Sequence, residues 1–238
     1  MRWLVGMSST GNSASATKQQ LLAHVAPMFL FILLLGLVGM IKSPGAEFWL
    51  AAPEFWIYPL QTLLCAGLLI YFRRRYKFHP LRRPVFTGAI SLLVLILWIA
   101  PQQFFHFPPR LVGFNPDALA YSPGLYWTTL LFRFVRLTIV VPFVEEIFWR
   151  AFLLRYLIAE RFTTIPFGTF SPLSFAVVTL AFCFSHSRPD WPAALLTGAL
   201  YNLVAYRTKS LRSCILAHAL TNLGLGLWIV ATKQWGFW

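Results

Sequence analysis

The residues best suited to chemistry sit in one oily stretch, Val141-Pro142-Phe143-Val144-Glu145-Glu146-Ile147-Phe148-Trp149-Arg150. Asp and Glu together number only 7 in 238 residues, and two of them are neighbours here. An ionised side chain at membrane depth costs several kcal/mol, and such groups usually face a bundle interior, pair up and mark a functional pathway. Glu146 and Arg150 are four apart, acid before base, the favourable order for a salt bridge on one helical face. Glu145 is turned about 100° away and has no cation three or four residues from it, where an intrahelical partner would face it. The simplest division makes Glu146 and Arg150 structural and Glu145 chemical. Three further groups lie in apolar segments downstream. His186 ends Phe182-Cys183-Phe184-Ser185-His186, and His218 and Asn222 are one helical turn apart on a common face. Two histidines, a glutamate and an asparagine at membrane depth read together as one shared polar site. The bland alternatives are a Glu–Glu–Arg cluster that only locks helix packing and histidines that are merely packed and hydrogen-bonded.

The elements that must position these groups are membrane helices. Hydrophobic residues make up 58% of the chain and charged residues 11%. Soluble domains carry about a quarter charged residues, so the composition predicts an all-α fold, a polytopic transmembrane bundle of about seven or eight helices. The net charge of +13 does not describe a nucleic-acid surface. Its Lys and Arg cluster between apolar runs, as cytoplasmic loops of membrane proteins require, so no nucleic-acid partner is expected. The expected partners are membrane lipid and a membrane-associated protein or peptide. Cys65, Cys183 and Cys214 have no metal-type spacing and read as small buried residues outside any disulfide framework.

In chain order, residues 1–20 read as a disordered cytoplasmic tail. Residues 21–124 read as N-terminal transmembrane helices with their loops, and 125–238 as a catalytic helical core. Spans are expected at 21–41, 57–72 and 85–99. The run from Arg73 to Arg83 is the most basic in the chain, which places it and the N-terminus in the cytoplasm. The proline-rich stretch 102–123 then lies outside and caps the bundle. Residues 125–160 read as one element bent at Pro142, with the glutamates in the first turn beyond the kink. Counted as one crossing, that element gives seven crossings and keeps the Arg207–Arg212 loop inside. Further helical segments are expected at 172–185, 193–206 and 214–232. His24, His79 and His106 read as interfacial.

Glu145-Glu146-x-x-x-Arg150, Phe182-x-x-x-His186 and His218-x-x-x-Asn222, in this order, resemble the signature of the CPBP family. That family holds the CAAX prenyl proteases and bacteriocin-processing enzymes, also called Abi proteins. The similarity covers about residues 125–232, with Ala151 where many relatives carry glycine. The aromatic segment after the first span and the tri-arginine loop also resemble the CAAX prenyl protease-related branch that accompanies exosortase systems. The resemblance implies an intramembrane endopeptidase of the bacterial inner membrane, with catalytic positions at Glu145, His186, His218 and Asn222. Glu145 would be general base, His186 its partner in holding the attacking water, and His218 and Asn222 the oxyanion stabilisers. Glu146 and Arg150 would support the helix that presents Glu145. No cofactor is expected on this reading. The alternative is zinc on Glu145, His186 and His218, since His₂Glu is an established ligand set, although no His-Glu-x-x-His motif is present. Ser185 and Cys183 adjoin His186 but point to another helical face. A non-enzymatic transporter or scaffold would use the same buried groups as an ion relay or for packing alone.

Overall fold

The computed structural model describes residues 7–110 and 113–238, with side chains of the first helix from Thr17 onward. Among them every regular element is helical. Helix α1 (Met7–Ile41) is followed by the short α2 (Phe48–Ala51), then α3 (Glu54–Tyr71) and α4 (Pro84–Gln103). A continuous helical run of α5 (Pro123–Val135), α6 (Val141–Glu146) and α7 (Leu154–Tyr156) comes next. It is followed by α8 (Pro172–Phe184), α9 (Trp191–Thr208) and α10 (Leu211–Thr232).

Among the described residues, four helices are long and apolar enough to cross a membrane: Thr17–Ile41, Glu54–Tyr71, Pro84–Gln103 and Leu211–Thr232. In lipid every backbone N–H and C=O must be satisfied within its own segment, which long apolar runs achieve only as helices. The distribution of side chains agrees with that solvent. Leu22, Phe29, Leu33 and Met40 of α1 are exposed, whereas His24, Gln61, Thr62, Thr87, Ser91, Arg133 and Arg136 are buried. Apolar residues face out and polar ones face in, the arrangement of a bundle whose outer medium is hydrocarbon.

The sequence reading needs four adjustments. α1 begins at Met7, so the expected tail is helical from that residue, because elongating an existing helix is cheap once it is nucleated; residues 1–6 lie outside those described. α4 continues past Pro101 to Gln103. Pro142 lies inside α6, and the helical run continues through it. The run widens into π-helical turns at Arg136–Val140 and Ile147–Leu153, on either side of the six residues that end in Glu145 and Glu146. Such insertions shift the facing of side chains and are frequent at functional sites. Finally, His24, near the start of the first span, is a core residue: it is 3% exposed and packs edge-on against Tyr76 and Phe162. His106 is exposed and His79 half-buried.

The α5–α7 run is central. It contacts α1 and α3 on one side and α10 on the other, while α10 lies against α4 and α9, and α9 against α8. One hydrophobic cluster threads the bundle from Ala23 through Cys65, Val94, Val144, Ile147, Phe182 and Tyr201 to Cys214 and Ala217. At Gly198 of α9 an added Cβ would lie 3.2 Å from the Thr179 carbonyl of α8 and 3.3 Å from Phe182. Close approach of α8 and α9 therefore depends on the absent side chain. The loop after α4 folds over one end of the bundle, where Phe114 stacks on Phe55 and Arg110 pairs with Asp190 at 2.7 Å. All three cysteines are free and buried.

Candidate active site

Glu145 and Glu146 end α6, where the wall of the bundle meets its centre. Glu146 is fully buried and its Oε1 accepts two hydrogen bonds, from Arg150 Nη1 at 2.9 Å and from His218 Nδ1 at 2.9 Å. The first is the i, i+4 pair read from spacing. The second joins α6 to α10 across 72 residues of chain. Arg150 is 1% exposed, extends Nε to Asn202 Oδ1 at 3.3 Å, and lies over the rings of Phe182 and Tyr201. Asn202 in turn donates to Thr179 Oγ1 at 3.1 Å. A chain of polar contacts thus ties α6, α8, α9 and α10 together behind the site.

A cavity of about 240 Å³ opens in front of that chain. Glu145, His186, His218 and Asn222 all line it, and they arrive from α6, the end of α8, and α10. The structure therefore brings the four expected site residues to one space. Glu146 and Arg150 do not line the cavity and stand behind it.

Hydrogen bonds fix what each ring can offer. His218 faces a carboxylate, which only accepts while ionised, so Nδ1 carries the proton and Nε2 is the free nitrogen. His186 Nδ1 lies 2.8 Å from the Phe182 carbonyl, again a pure acceptor, so its Nε2 is likewise free. Trp98 stacks near that ring at 5.5 Å, and Trp191 Nε1 donates to the His186 carbonyl at 3.0 Å. Asn222 Nδ2 donates to the Leu137 carbonyl at 2.8 Å, inside the first π-helical stretch. That contact leaves Asn222 one further N–H and its carbonyl oxygen. Glu145 Oε2 is buried without a hydrogen-bond partner, as are Glu146 Oε2, Arg150 Nη2 and Tyr201 OH. Buried polar atoms are ordinarily satisfied by protein or ordered water, so each of these is a costly group in the core behind and beside the cavity.

Ser185 and Cys183 take no part in the cavity wall. Ser185 Oγ donates to the Phe182 carbonyl at 2.7 Å, and Cys183 Sγ to the Trp191 carbonyl at 3.3 Å. As for zinc, among the described residues no three His, Cys, Asp or Glu side chains converge as a metal-holding group. Glu145, His186 and His218 share the cavity but do not fit that ion in this arrangement.

Sequence reasoning passed over Arg133, Arg136, Gln61, Asn202 and Tyr201. Arg133 and Arg136 carried a usable signal, since two cations in an apolar helix are as costly as the two glutamates. The others are ordinary helix residues until the tertiary fold places them.

No curated protein and no solved structure matches the chain. With four membrane-length apolar helices around a polar centre, it is an integral membrane protein. Residues 126–224, the segment that carries Glu145, His186, His218 and Asn222, match the family described as type II CAAX prenyl endopeptidase Rce1-like, in agreement with the CPBP resemblance of the sequence.

Proposed function

We propose that the chain is an intramembrane endopeptidase that cleaves a membrane-associated or lipidated protein or peptide with an activated water. The observation that carries this reading is the convergence of Glu145, His186, His218 and Asn222 on one cavity inside a membrane bundle. Peptide hydrolysis needs a water, a base and donors for the developing oxyanion, and these four side chains supply the base and the donors.

Glu145 is the general base. Its carboxylate faces the cavity and accepts from a water whose second contact is the free Nε2 of His186. As the water oxygen attacks the peptide carbonyl, its proton passes to Glu145 and the carbonyl electrons move onto oxygen. The remaining N–H of Asn222 donates to that oxyanion. His218 donates from Nε2 when its ring is doubly protonated, and Glu146 on the Nδ1 side is the anion that balances the ring's charge. Collapse of the tetrahedral adduct breaks the C–N bond, and Glu145 returns the proton to the leaving amine. The chemistry is complete without a metal, and the failure of three donors to converge supports the metal-free version over zinc.

We also place the N-terminus and the Arg73–Arg83 connection in the cytoplasm of a bacterial inner-membrane protein, on the positive-inside bias. The test is a Glu145→Gln variant compared with the parent by mass spectrometry of membrane proteins in cells. Loss of a processed terminus in the folded variant supports the reading, and unchanged processing overturns it.

A further inference from the structure

A second cavity, of about 240 Å³, shares no wall residue with the one that holds Glu145. Three separate pieces of chain enclose it. α1 brings Gln20 and His24, the connection after α3 brings Arg75, Lys77 and His79, and α7 brings Arg155. Gln20 and His24 stand near the start of the Thr17–Ile41 span, and the connection leaves α3 at Tyr71, so the cavity sits at one face of the membrane bundle. Arg75, Lys77 and Arg155 are cations, and among the described residues that line the space none is Asp or Glu. None of these cations makes an ion pair among the described residues.

The wall is held in place from several directions. Arg155 is half-buried, lies 5.3 Å over the Phe162 ring, and donates from Nε to the Ala151 carbonyl at 2.6 Å and from Nη1 to the Ile165 carbonyl at 3.2 Å. Each of its terminal nitrogens keeps a further N–H. Tyr76 pins the connection by donating to the Ala23 carbonyl at 2.9 Å, and the His79 carbonyl accepts from Ser210 Oγ at 3.3 Å. His24 Nδ1 lies 2.8 Å from the Gln20 carbonyl, which fixes a proton there and leaves Nε2 to accept one from a hydroxyl. His79 Nδ1 is buried, so Nε2 is the nitrogen that ring presents. Like charges gathered on a concave wall raise the local potential and draw an anion. His79 registers that field, because burial and then Arg155, Arg82 and Lys77 hold its pKa below 6.5.

We infer that this cavity binds a phosphate group at the membrane face, between α1, the Arg73–Arg83 connection and α7; the inference needs the fold and not the protease reading. Cations approaching from separate segments suit a tetrahedral anion, whose oxygens point in several directions, better than a planar carboxylate met by one fork. Basic segments beside a span attract the phosphates of anionic lipids. The group can therefore arrive as the headgroup of an anionic phospholipid or as a soluble phosphate ester. In either form a glycerol hydroxyl beside the phosphate supplies the proton that His24 Nε2 accepts.

The experiment is a binding titration on the full chain in a non-ionic detergent, read by microscale thermophoresis. The probes are dihexanoyl phosphatidylglycerol, dihexanoyl phosphatidylcholine and glycerol 3-phosphate. Phosphatidylglycerol is expected to bind about ten-fold tighter than phosphatidylcholine. The pair Arg75→Gln and Lys77→Gln, both at exposed wall positions, should abolish that preference, and so should Arg155→Gln if it folds. The pair Arg73→Gln and Arg74→Gln removes the same charge from the same connection but outside the cavity, and should leave the preference within about two-fold of the parent. Equal affinity of the parent for the two lipids, with no binding of glycerol 3-phosphate, overturns the inference. An equal loss in the two double variants also overturns it, because the attraction is then that of a diffuse basic surface. Displacement of phosphatidylglycerol by glycerol 3-phosphate supports a site that takes soluble esters as well. Retention of the lipid against the ester, with the preference still tied to the wall residues, supports the lipid headgroup as the source.

Discussion

Glu146 and His218 meet through a single oxygen, Oε1, which lies 2.9 Å from His218 Nδ1 and also accepts from Arg150 at 2.9 Å. One carboxylate thereby sets the ring orientation of a cavity residue and neutralises the cation behind it. Removing it strands a buried guanidinium, and breaking a buried pair by deleting one partner costs about 3–5 kcal/mol. Glu146→Leu is therefore expected to lower the thermal midpoint of the detergent-solubilised protein markedly. Adding Arg150→Met to Glu146→Leu should recover much of that loss, since an apolar pair of similar volume replaces the ions. If the double variant is no more stable than the single one, the contact does not carry the stability assigned to it.

Glu145 predicts the opposite pattern. It has no ion pair and its buried Oε2 has no partner, so little stability rests on it. Glu145→Gln keeps the shape and removes the base. The thermal midpoint should stay within about 1 °C of the parent, while cleavage falls by about 10²–10⁴-fold, the usual worth of a positioned base. A side-by-side melt and processing assay checks both halves.

How much of this was legible without coordinates follows from the range of each contact. The Glu146–Arg150 bridge spans four residues of one helix, so spacing alone predicts it. The existence of the spans follows from apolar runs of membrane length, but which of their faces is buried does not. The partner of His218 is different, since a contact across 72 residues exists only once α6 and α10 are packed. The burial of His24 is hidden in the sequence because the rings that enclose it, Tyr76 and Phe162, come from distant connections. The π-helical turns follow no residue rule, and Pro142 drew attention to itself instead. Arg133 and Arg136 are visible as two cations inside an apolar run, where Lys and Arg are otherwise concentrated in the loops between spans.

The zinc alternative makes a sharp prediction. Glu145, His186 and His218 share a cavity, but no three metal-ligating side chains converge among the described residues. Treatment of the purified protein with 1,10-phenanthroline, followed by dialysis, should leave peptide cleavage within two-fold of the untreated sample. Loss of activity that returns with added zinc would reverse the mechanistic choice and leave the four-residue site in place.

His79 offers a pH test outside the spans. Burial holds its pKa below the ordinary 6.5, and the neighbouring Arg155, Arg82 and Lys77 push it the same way. The unfolded chain therefore binds the proton more readily than the folded one between the two values. Stability from this residue is fully present above about pH 6.5 and declines as pH falls through the folded-state pKa. His79→Gln should accordingly flatten the fall in thermal midpoint between about pH 7 and pH 5, with little change at pH 8. An unchanged slope would show that the acid sensitivity resides in other groups.

Asn222 separates positioning from chemistry. Its amide donates to the Leu137 carbonyl at 2.8 Å, across from the π-helical stretch that leads into the glutamates. Asn222→Ala deletes that tether and the proposed oxyanion donor together. The buried carbonyl left unpaired costs about 1–3 kcal/mol of stability, and loss of one oxyanion donor costs about 10²–10³ in kcat. Asn222→Ser keeps a hydroxyl but shortens the reach, so it cannot serve Leu137 and the cavity at once. If Asn222 only braces the helix, Asn222→Ala should raise KM and lower the thermal midpoint while kcat stays near the parent value. If it meets the oxyanion, kcat falls in both variants and does not track stability. Steady-state kinetics of the two variants, read beside their melts, decides which contact the amide serves during cleavage.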